Sequence, residues 1–106
     1  MQFDPTYNPF SLVGKTILIT GASSGIGRAT AIECSKLGAI CIITGRNEER
    51  LNETLTQMAG DGHQIIVADI STQEGIDVLV EQSPVIDGLV NNAGIVKEKP
   101  IRFYKQ

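Results

Sequence analysis

Thr20-Gly21-Ala22-Ser23-Ser24-Gly25-Ile26-Gly27 is the stretch of this chain whose residue types and spacing could do chemistry. It follows an apolar run and precedes a helix-forming segment. Gly21 allows a tight turn off a strand. Gly25 removes a Cβ where backbone would approach a pyrophosphate, and Gly27 lets a helix pack closely on a sheet. Free N–H groups at the helix start, together with the helix dipole, attract phosphate oxygens. The hydroxyls of Ser23 and Ser24 add donors. A P-loop is excluded on residue grounds, because it needs a Gly-Lys-Ser/Thr ending and Arg28 follows Gly27 here.

A second chemical signal lies at Thr44-Gly45-Arg46-Asn47. A site for NAD usually places a carboxylate near the end of the second strand to hold the ribose 2′-hydroxyl. No carboxylate occurs here until Glu48. Gly45 removes bulk, and Arg46 supplies a permanently charged, planar fork suited to a phosphate. This predicts NADP(H), preferred over NAD(H).

These groups need a scaffold that brings them to one place. Short apolar runs occur at Thr16–Thr20, Ile40–Thr44, Gln64–Ala68 and, most weakly, Ile86–Val90. The first three are apolar at consecutive positions and rich in β-branched residues, which predicts strands covered on both faces, as in a parallel sheet. The gaps suit helices. Gly25–Leu37 forms the first, with Gly38 as its stop. Asn47 caps the second, whose apolar stripe is Leu51, Leu55 and Met58. Ser71-Thr72-Gln73-Glu74 has the form of a capping box for the third, which continues through Ile76, Leu79, Val80 and Ser83 and ends at Pro84. The order β-α-β-α-β-α-β predicts an α/β fold, a Rossmann-type doubly wound parallel sheet with only its first half present. Residues 1–11 are expected to form an N-terminal arm, and residues 12–106 the dinucleotide-binding half. A fourth strand left as the bare sheet edge suggests that the chain is a fragment or is completed by another segment.

Composition bounds the class. The chain has 106 residues, 42% of them hydrophobic and 20% charged, which fits a globular domain rather than a disordered one. A net charge of −3 with no basic stripe argues against nucleic acid. No apolar run is long enough to cross a membrane, and Met1–Phe10 lacks the features of a signal peptide, so a cytoplasmic protein is expected. Cys34 and Cys41 read as small buried hydrophobes, not as a disulfide, and His63, beside Asp61 and Gly62, as a turn residue. No metal site is expected.

The Gly-x-x-x-Gly-x-Gly spacing, with Asn91-Asn92-Ala93-Gly94 some 70 residues later and Asp69-Ile70 after the third strand, resembles the short-chain dehydrogenase/reductase family. The resemblance runs from residue 12 to about 96. It implies that the loop Gly21–Gly27, Ile26 included, holds the pyrophosphate. It implies further that Asp69 bonds the adenine amino group and the Ile70 backbone the adenine ring. Asn92, Ala93 and Gly94 would line the adenosine ribose and the crevice below it, while Asn91 would tie strands together. T-G-A-S-S-G-I-G-R and T-G-R-N-E-E-R-L look like 3-oxoacyl-acyl-carrier-protein reductases. The family's chemistry uses a Ser, a Tyr-x-x-x-Lys pair and an Asn located after the Asn-Asn-Ala-Gly motif. Tyr104-Lys105 is adjacent, and Tyr7 has no lysine four residues on, so no catalytic residue carries over to this chain. The resemblance also implies a carbonyl or acyl substrate and a homo-oligomeric complete protein.

Two other readings stay open at this point. A non-catalytic NADP(H)-binding module or partner-dependent subunit would carry the same loop, Arg46 and Asp69. A methyltransferase with a Rossmann-like sheet is a third, against which Arg46 and the Asn-Asn-Ala-Gly motif both argue.

Overall fold

The computed structural model describes residues 10–92. Seven elements alternate: β1 (Thr16–Thr20), α1 (Gly25–Lys36), β2 (Ile40–Gly45), α2 (Glu48–Gln57), β3 (Gln64–Val67), α3 (Gln73–Gln82) and β4 (Gly88–Asn91). The four strands form one sheet in the order β3-β2-β1-β4, and every neighbouring pair is parallel. The chain winds outward from β1 through β2 to β3, then returns to place β4 on the other side of β1. The strand order thus reverses at β1, and in open α/β sheets the crevice at such a point is where ligands bind. The fold is the expected first half of a Rossmann-type sheet. Most of the arm, residues 1–9, lies outside the described residues, as do Ala93, Gly94 and residues 95–106 with Tyr104 and Lys105.

The consecutive apolar residues of the strands divide between two cores, because successive side chains in a strand face opposite ways. Ile19, Cys41 and Ile43 pack with Ala31 of α1 and Leu51 of α2 on one face. Leu18, Ile42 and Ile66 pack with Leu79 of α3 on the other. Leu18, Ile19, Ile43, Leu51 and Leu79 are fully buried. On α1 the buried positions are Gly27, Ala31 and Ser35, one stripe spaced by four. Cys34 lies one residue off that stripe and is only half-buried, so the expectation of two buried cysteines holds for Cys41 alone. Neither is in a disulfide.

The ends of the elements are set by side chains. Asn47 caps α2 through a hydrogen bond from Arg50 N–H, 3.0 Å. The cap of α3 falls on Thr72 rather than on Ser71, one residue later than the expected capping box: the Gly75 N–H donates to the Thr72 hydroxyl at 3.0 Å. Ser71 is drawn instead to Asp69, as described below. His63 does more than turn the chain. Its Nδ1 accepts from the Cys41 N–H at 3.0 Å, which leaves Nε2 to donate to Ala59 O at 2.7 Å. The imidazole thereby extends the β2–β3 ladder just before β3 begins at Gln64. At the other side of the sheet Asp87 accepts from the Thr16 N–H at 2.8 Å and donates its own N–H to Thr16 O at 2.7 Å, pinning the start of β1.

Candidate functional site

A cavity of about 530 Å³ opens at the C-terminal ends of the strands. All four strands contribute: the glycine loop follows β1, Thr44–Arg46 ends β2, residues 68–71 follow β3 and Asn92 follows β4. Of the twelve residues expected to hold a cofactor, ten are described. Gly21, Ser23, Ser24, Ile26, Gly27, Arg46, Asp69, Ile70 and Asn92 line the cavity; Gly25 does not. Ala93 and Gly94 lie outside the described residues.

The loop owes its shape to three glycines with two different physical roles. Gly21 and Gly25 have φ of 63° and 60°, a left-handed backbone that favours glycine. Nothing stands within 4 Å of a Cβ built on Gly25, so the backbone conformation, not crowding within the protein, excludes a side chain there. At Gly27 a Cβ would overlap the carbonyl oxygen of Gly21. The close approach expected between helix and sheet is therefore made between the helix and its own entry loop. Ala22 anchors the loop to the sheet by donating its N–H to Thr44 O at 3.1 Å.

The start of α1 differs from the starts of the other helices. Asn47 and Thr72 cap α2 and α3 with their side chains, and acidic residues occupy both first turns. Ser24, the N-cap of α1, makes no side-chain capping bond, and the first turn of α1 holds no acidic residue. The first N–H groups of a helix have no intrahelical acceptor. Here they are left with the positive end of the helix dipole at a cavity, a setting that suits an anion.

Arg46 stands exposed on the rim, with no hydrogen bond or ion pair among the described residues. Gly45 beside it keeps the wall thin: a Cβ there would sit 3.3 Å from the Ser23 hydroxyl. Across the cavity, Asp69 Oδ1 accepts from the Ser71 hydroxyl at 2.6 Å and from the Ser71 N–H at 3.0 Å. The hydroxyl bond first, then the N–H bond, hold the Asp69 carboxyl below its ordinary value of 3.8; partial desolvation opposes them, and the Arg46 charge adds to the lowering. Asp69 is thus an anion at neutral pH, and its Oδ2 takes no partner among the described residues. Its backbone is fixed as well. Thr72 donates both its hydroxyl and its N–H to Asp69 O, at 2.9 and 3.2 Å. A Cβ on Gly75 would overlap that same carbonyl oxygen.

At the end of β4, the Asn92 N–H donates to the Thr20 hydroxyl at 3.0 Å, and that hydroxyl donates to Asn91 Oδ1 at 2.7 Å. Asn91 therefore ties β4 to β1. Asn92 Nδ2 is buried and has no partner among the described residues. A buried amide without an acceptor is costly, and this one belongs to a residue lining the cavity. The uncapped helix start, the exposed Arg46 cation, the ionised Asp69 and the Asn92 amide, without a partner among the described residues, fit a ligand with phosphates at one place and hydroxyl or amino groups at others. A dinucleotide has that pattern. Metal chemistry has no comparable support: among the described residues no group of three or more His, Cys, Asp or Glu converges.

Several lining residues had not been singled out. Ala68 was read only as a strand end and Ser71 only as part of a capping box, neither as part of the site. Gly75 had a signal, a glycine inside a helical pattern, which commonly marks close backbone packing. Arg28 also had no assigned role, and its contacts are taken up below.

Comparison with known proteins follows the same residues. The profile of the family described as short chain dehydrogenase matches residues 15–106. The chain is 44% identical over 87 residues to the 3-oxoacyl-[acyl-carrier-protein] reductase FabG of Rickettsia felis, covering 82% of this chain and 36% of that protein. It is 40% identical over 89 residues to the oxidoreductase YvaG of Bacillus subtilis, covering 80% and 34%. The solved Pseudomonas aeruginosa RhlG/NADP active-site complex superposes with a TM-score of 0.73 at 40% identity, over 81% of this chain and 37% of that one. The chain spans about a third of the length of these relatives. On the extent of the profile match, together with the parallel sheet and the glycine loop, this chain belongs to the short-chain dehydrogenase family, in which it resembles the 3-oxoacyl-acyl-carrier-protein reductases.

Proposed function

We propose that this chain is the cofactor-binding half of an NADP(H)-dependent oxidoreductase that moves a hydride between the dinucleotide and a carbonyl or hydroxyl carbon. The observation that carries the cofactor preference is Arg46, an exposed guanidinium on the cavity rim, without a hydrogen bond or ion pair among the described residues, where an NAD site usually places a carboxylate. In this reading the uncapped start of α1 and the hydroxyls of Ser23 and Ser24 receive the pyrophosphate. Arg46 receives the 2′-phosphate. Asp69, with one oxygen taken by Ser71, offers the other to the adenine amino group, and the Ile70 backbone meets the adenine ring. The Asn92 amide donates to a ribose hydroxyl. Ala93 and Gly94 belong to the same proposal. The nicotinamide ring supplies the hydride chemistry when bound.

The similarity to 3-oxoacyl-acyl-carrier-protein reductases makes 3-oxoacyl thioesters the first substrates to try, and a cytoplasmic homo-oligomer the first assembly to look for. Arg46 and Asp69 are the only titratable residues lining the cavity among the described residues, and both are given binding roles here. No general acid or base is assigned to this chain. A second reading, a non-catalytic NADP(H)-binding subunit, would carry the same cavity; substrate-dependent NADPH oxidation by the natural protein would exclude it.

The Arg46→Asp variant tests the preference. A charge-assisted phosphate contact is replaced by repulsion, so NADPH binding weakens by about a hundredfold while NADH binding changes by no more than about threefold. Fluorescence titration with each nucleotide measures both constants. An equal loss for the two nucleotides would remove Arg46 from the 2′-phosphate site.

A further inference from the structure

Arg28 does not line the cavity, yet it makes more side-chain hydrogen bonds around the glycine loop than any residue that does. Its Nε donates to the Thr54 hydroxyl at 2.9 Å. Its terminal nitrogen donates to Ser23 O at 2.7 Å, to Arg50 O at 3.1 Å and to Glu53 Oε2 at 3.4 Å. Thr54, fully buried on α2, lies with its hydroxyl 2.8 Å from Ala22 O and 3.2 Å from Arg50 O. Two consecutive carbonyls of the loop, Ala22 and Ser23, are thus held from the side of α2. Neither Arg28, Arg50, Glu53 nor Thr54 is part of the cavity wall, whereas Ser23 and Ser24 are.

A trans peptide is planar, and its C=O and the next residue's N–H point in opposite directions. Fixing Ala22 O and Ser23 O toward α2 therefore turns the N–H groups of Ser23 and Ser24 the other way. We propose that Arg28, acting with Thr54, is a positioning residue for the glycine loop: it clamps the Ala22 and Ser23 carbonyls to α2 and so aims the following N–H donors at the phosphates of the cofactor. This inference rests on the dinucleotide reading of the cavity. The clamp needs a fork. One planar guanidinium reaches a hydroxyl through Nε and backbone carbonyls through its terminal nitrogen, and a lysine ammonium cannot span the same set.

The clamp acts on the loop common to both nucleotides, so its loss has a different signature from the loss of Arg46. In the natural protein, Arg28→Met keeps much of the stem and removes the fork. NADPH and NADH binding each weaken by about tenfold or more, and the ratio between them stays within about twofold of wild type. Turnover at saturating NADPH falls far less than the KM for NADPH rises. Arg28→Lys, which keeps the charge, recovers part of the affinity for both nucleotides. Thr54→Val, which removes the hydroxyl at nearly constant volume, reproduces the Arg28→Met pattern in milder form. Thermal unfolding of each variant with no nucleotide present identifies those that are folded at the assay temperature. Should Arg28→Met not fold, the Arg28→Lys and Thr54→Val titrations decide the matter in its place. A folded Arg28→Met or Thr54→Val protein that binds both nucleotides within about twofold of wild type overturns the clamp, as does a loss confined to NADPH. A wild-type protein that binds neither nucleotide overturns the dinucleotide reading itself, an outcome distinct from both.

Discussion

A methyl group added at Gly27 would overlap the Gly21 carbonyl oxygen, sit 2.6 Å from its carbon and 3.1 Å from Ala22 Cα. All three atoms are backbone, so no side chain can swing aside. To reach 3.4 Å, the short end of ordinary contact, the Gly21 carbon has to retreat by about 0.8 Å from its 2.6 Å position, and the nearer oxygen by more. Alanine gains about 1 kcal/mol over glycine in a helix interior, but overpacking costs about 1–3 kcal/mol. Since the overlap is with backbone, the upper end applies, and Gly27→Ala is expected to destabilise the natural protein by about 1–2 kcal/mol. The effect on cofactor is larger. The displaced atoms belong to the loop that receives the phosphates, where a misplacement approaching 1 Å can cost about a hundredfold. Chemical denaturation and NADPH titration on the same variant separate the two effects. Gly25 supplies the control, because its φ of 60° rather than any neighbour demands glycine. Gly25→Ala adds about 1–2 kcal/mol of backbone strain, part of which Gly25→Asn relieves, since asparagine tolerates the left-handed region. At Gly27, asparagine is no better than alanine. A Gly27→Ala protein that binds NADPH within about twofold of wild type refutes the steric account; so does a Gly27→Asn protein better behaved than Gly27→Ala.

Two more expectations follow from the same structure. His63→Ala leaves the part-buried Cys41 N–H without its acceptor and Ala59 O to water, so the natural protein should lose about 1 kcal/mol in denaturant unfolding; His63→Phe, which fills the space without restoring the bonds, should not recover it. Burial pushes the Cys41 thiol up to about 12 from its ordinary 9.0, with Cys34 adding to the shift. A group raised in the folded state contributes stability that is complete below its unfolded value and disappears as pH climbs to its folded one. Stability should therefore decline between about pH 9 and pH 12, less steeply in Cys41→Ala once that variant's own baseline is subtracted, and folded Cys41 should resist iodoacetamide at pH 8. Rapid alkylation of Cys41 in the folded protein would contradict the burial argument.

The strands and helices were legible in sequence because two periodicities carry them. The runs at 16–20, 40–44 and 64–67 are short and rich in β-branched residues, which favours strands covered on both faces, and the structure divides most of their apolar side chains between two cores. Boundaries were less legible. The strand expected at 86–90 occupies Gly88–Asn91, because Asp87 spends its carboxylate and N–H on Thr16 instead of continuing an apolar run. The α3 cap moved from Ser71 to Thr72 because Asp69, two residues earlier, competes for the Ser71 hydroxyl. Such local competition between side chains leaves no periodic trace.

The candidate site divides in the same manner. Sequence by itself picked out the glycine loop and Arg46 without a neighbouring carboxylate, each a residue type at a fixed distance from a strand end, while Asp69 and Asn92 were singled out by the resemblance to the short-chain dehydrogenase/reductase family. Tertiary structure alone decided what those residues touch. It brought four strand ends to one cavity through a strand order, β3-β2-β1-β4, that places β4 beside β1. It closed Arg28 onto Thr54 and Arg50. The physical reason is sequence separation. Periodicity and caps are set by residues within one or two turns of each other, whereas Arg28 and Thr54 are 26 residues apart and meet only after β1 and β2 have paired and set α1 and α2 side by side on one face of the sheet.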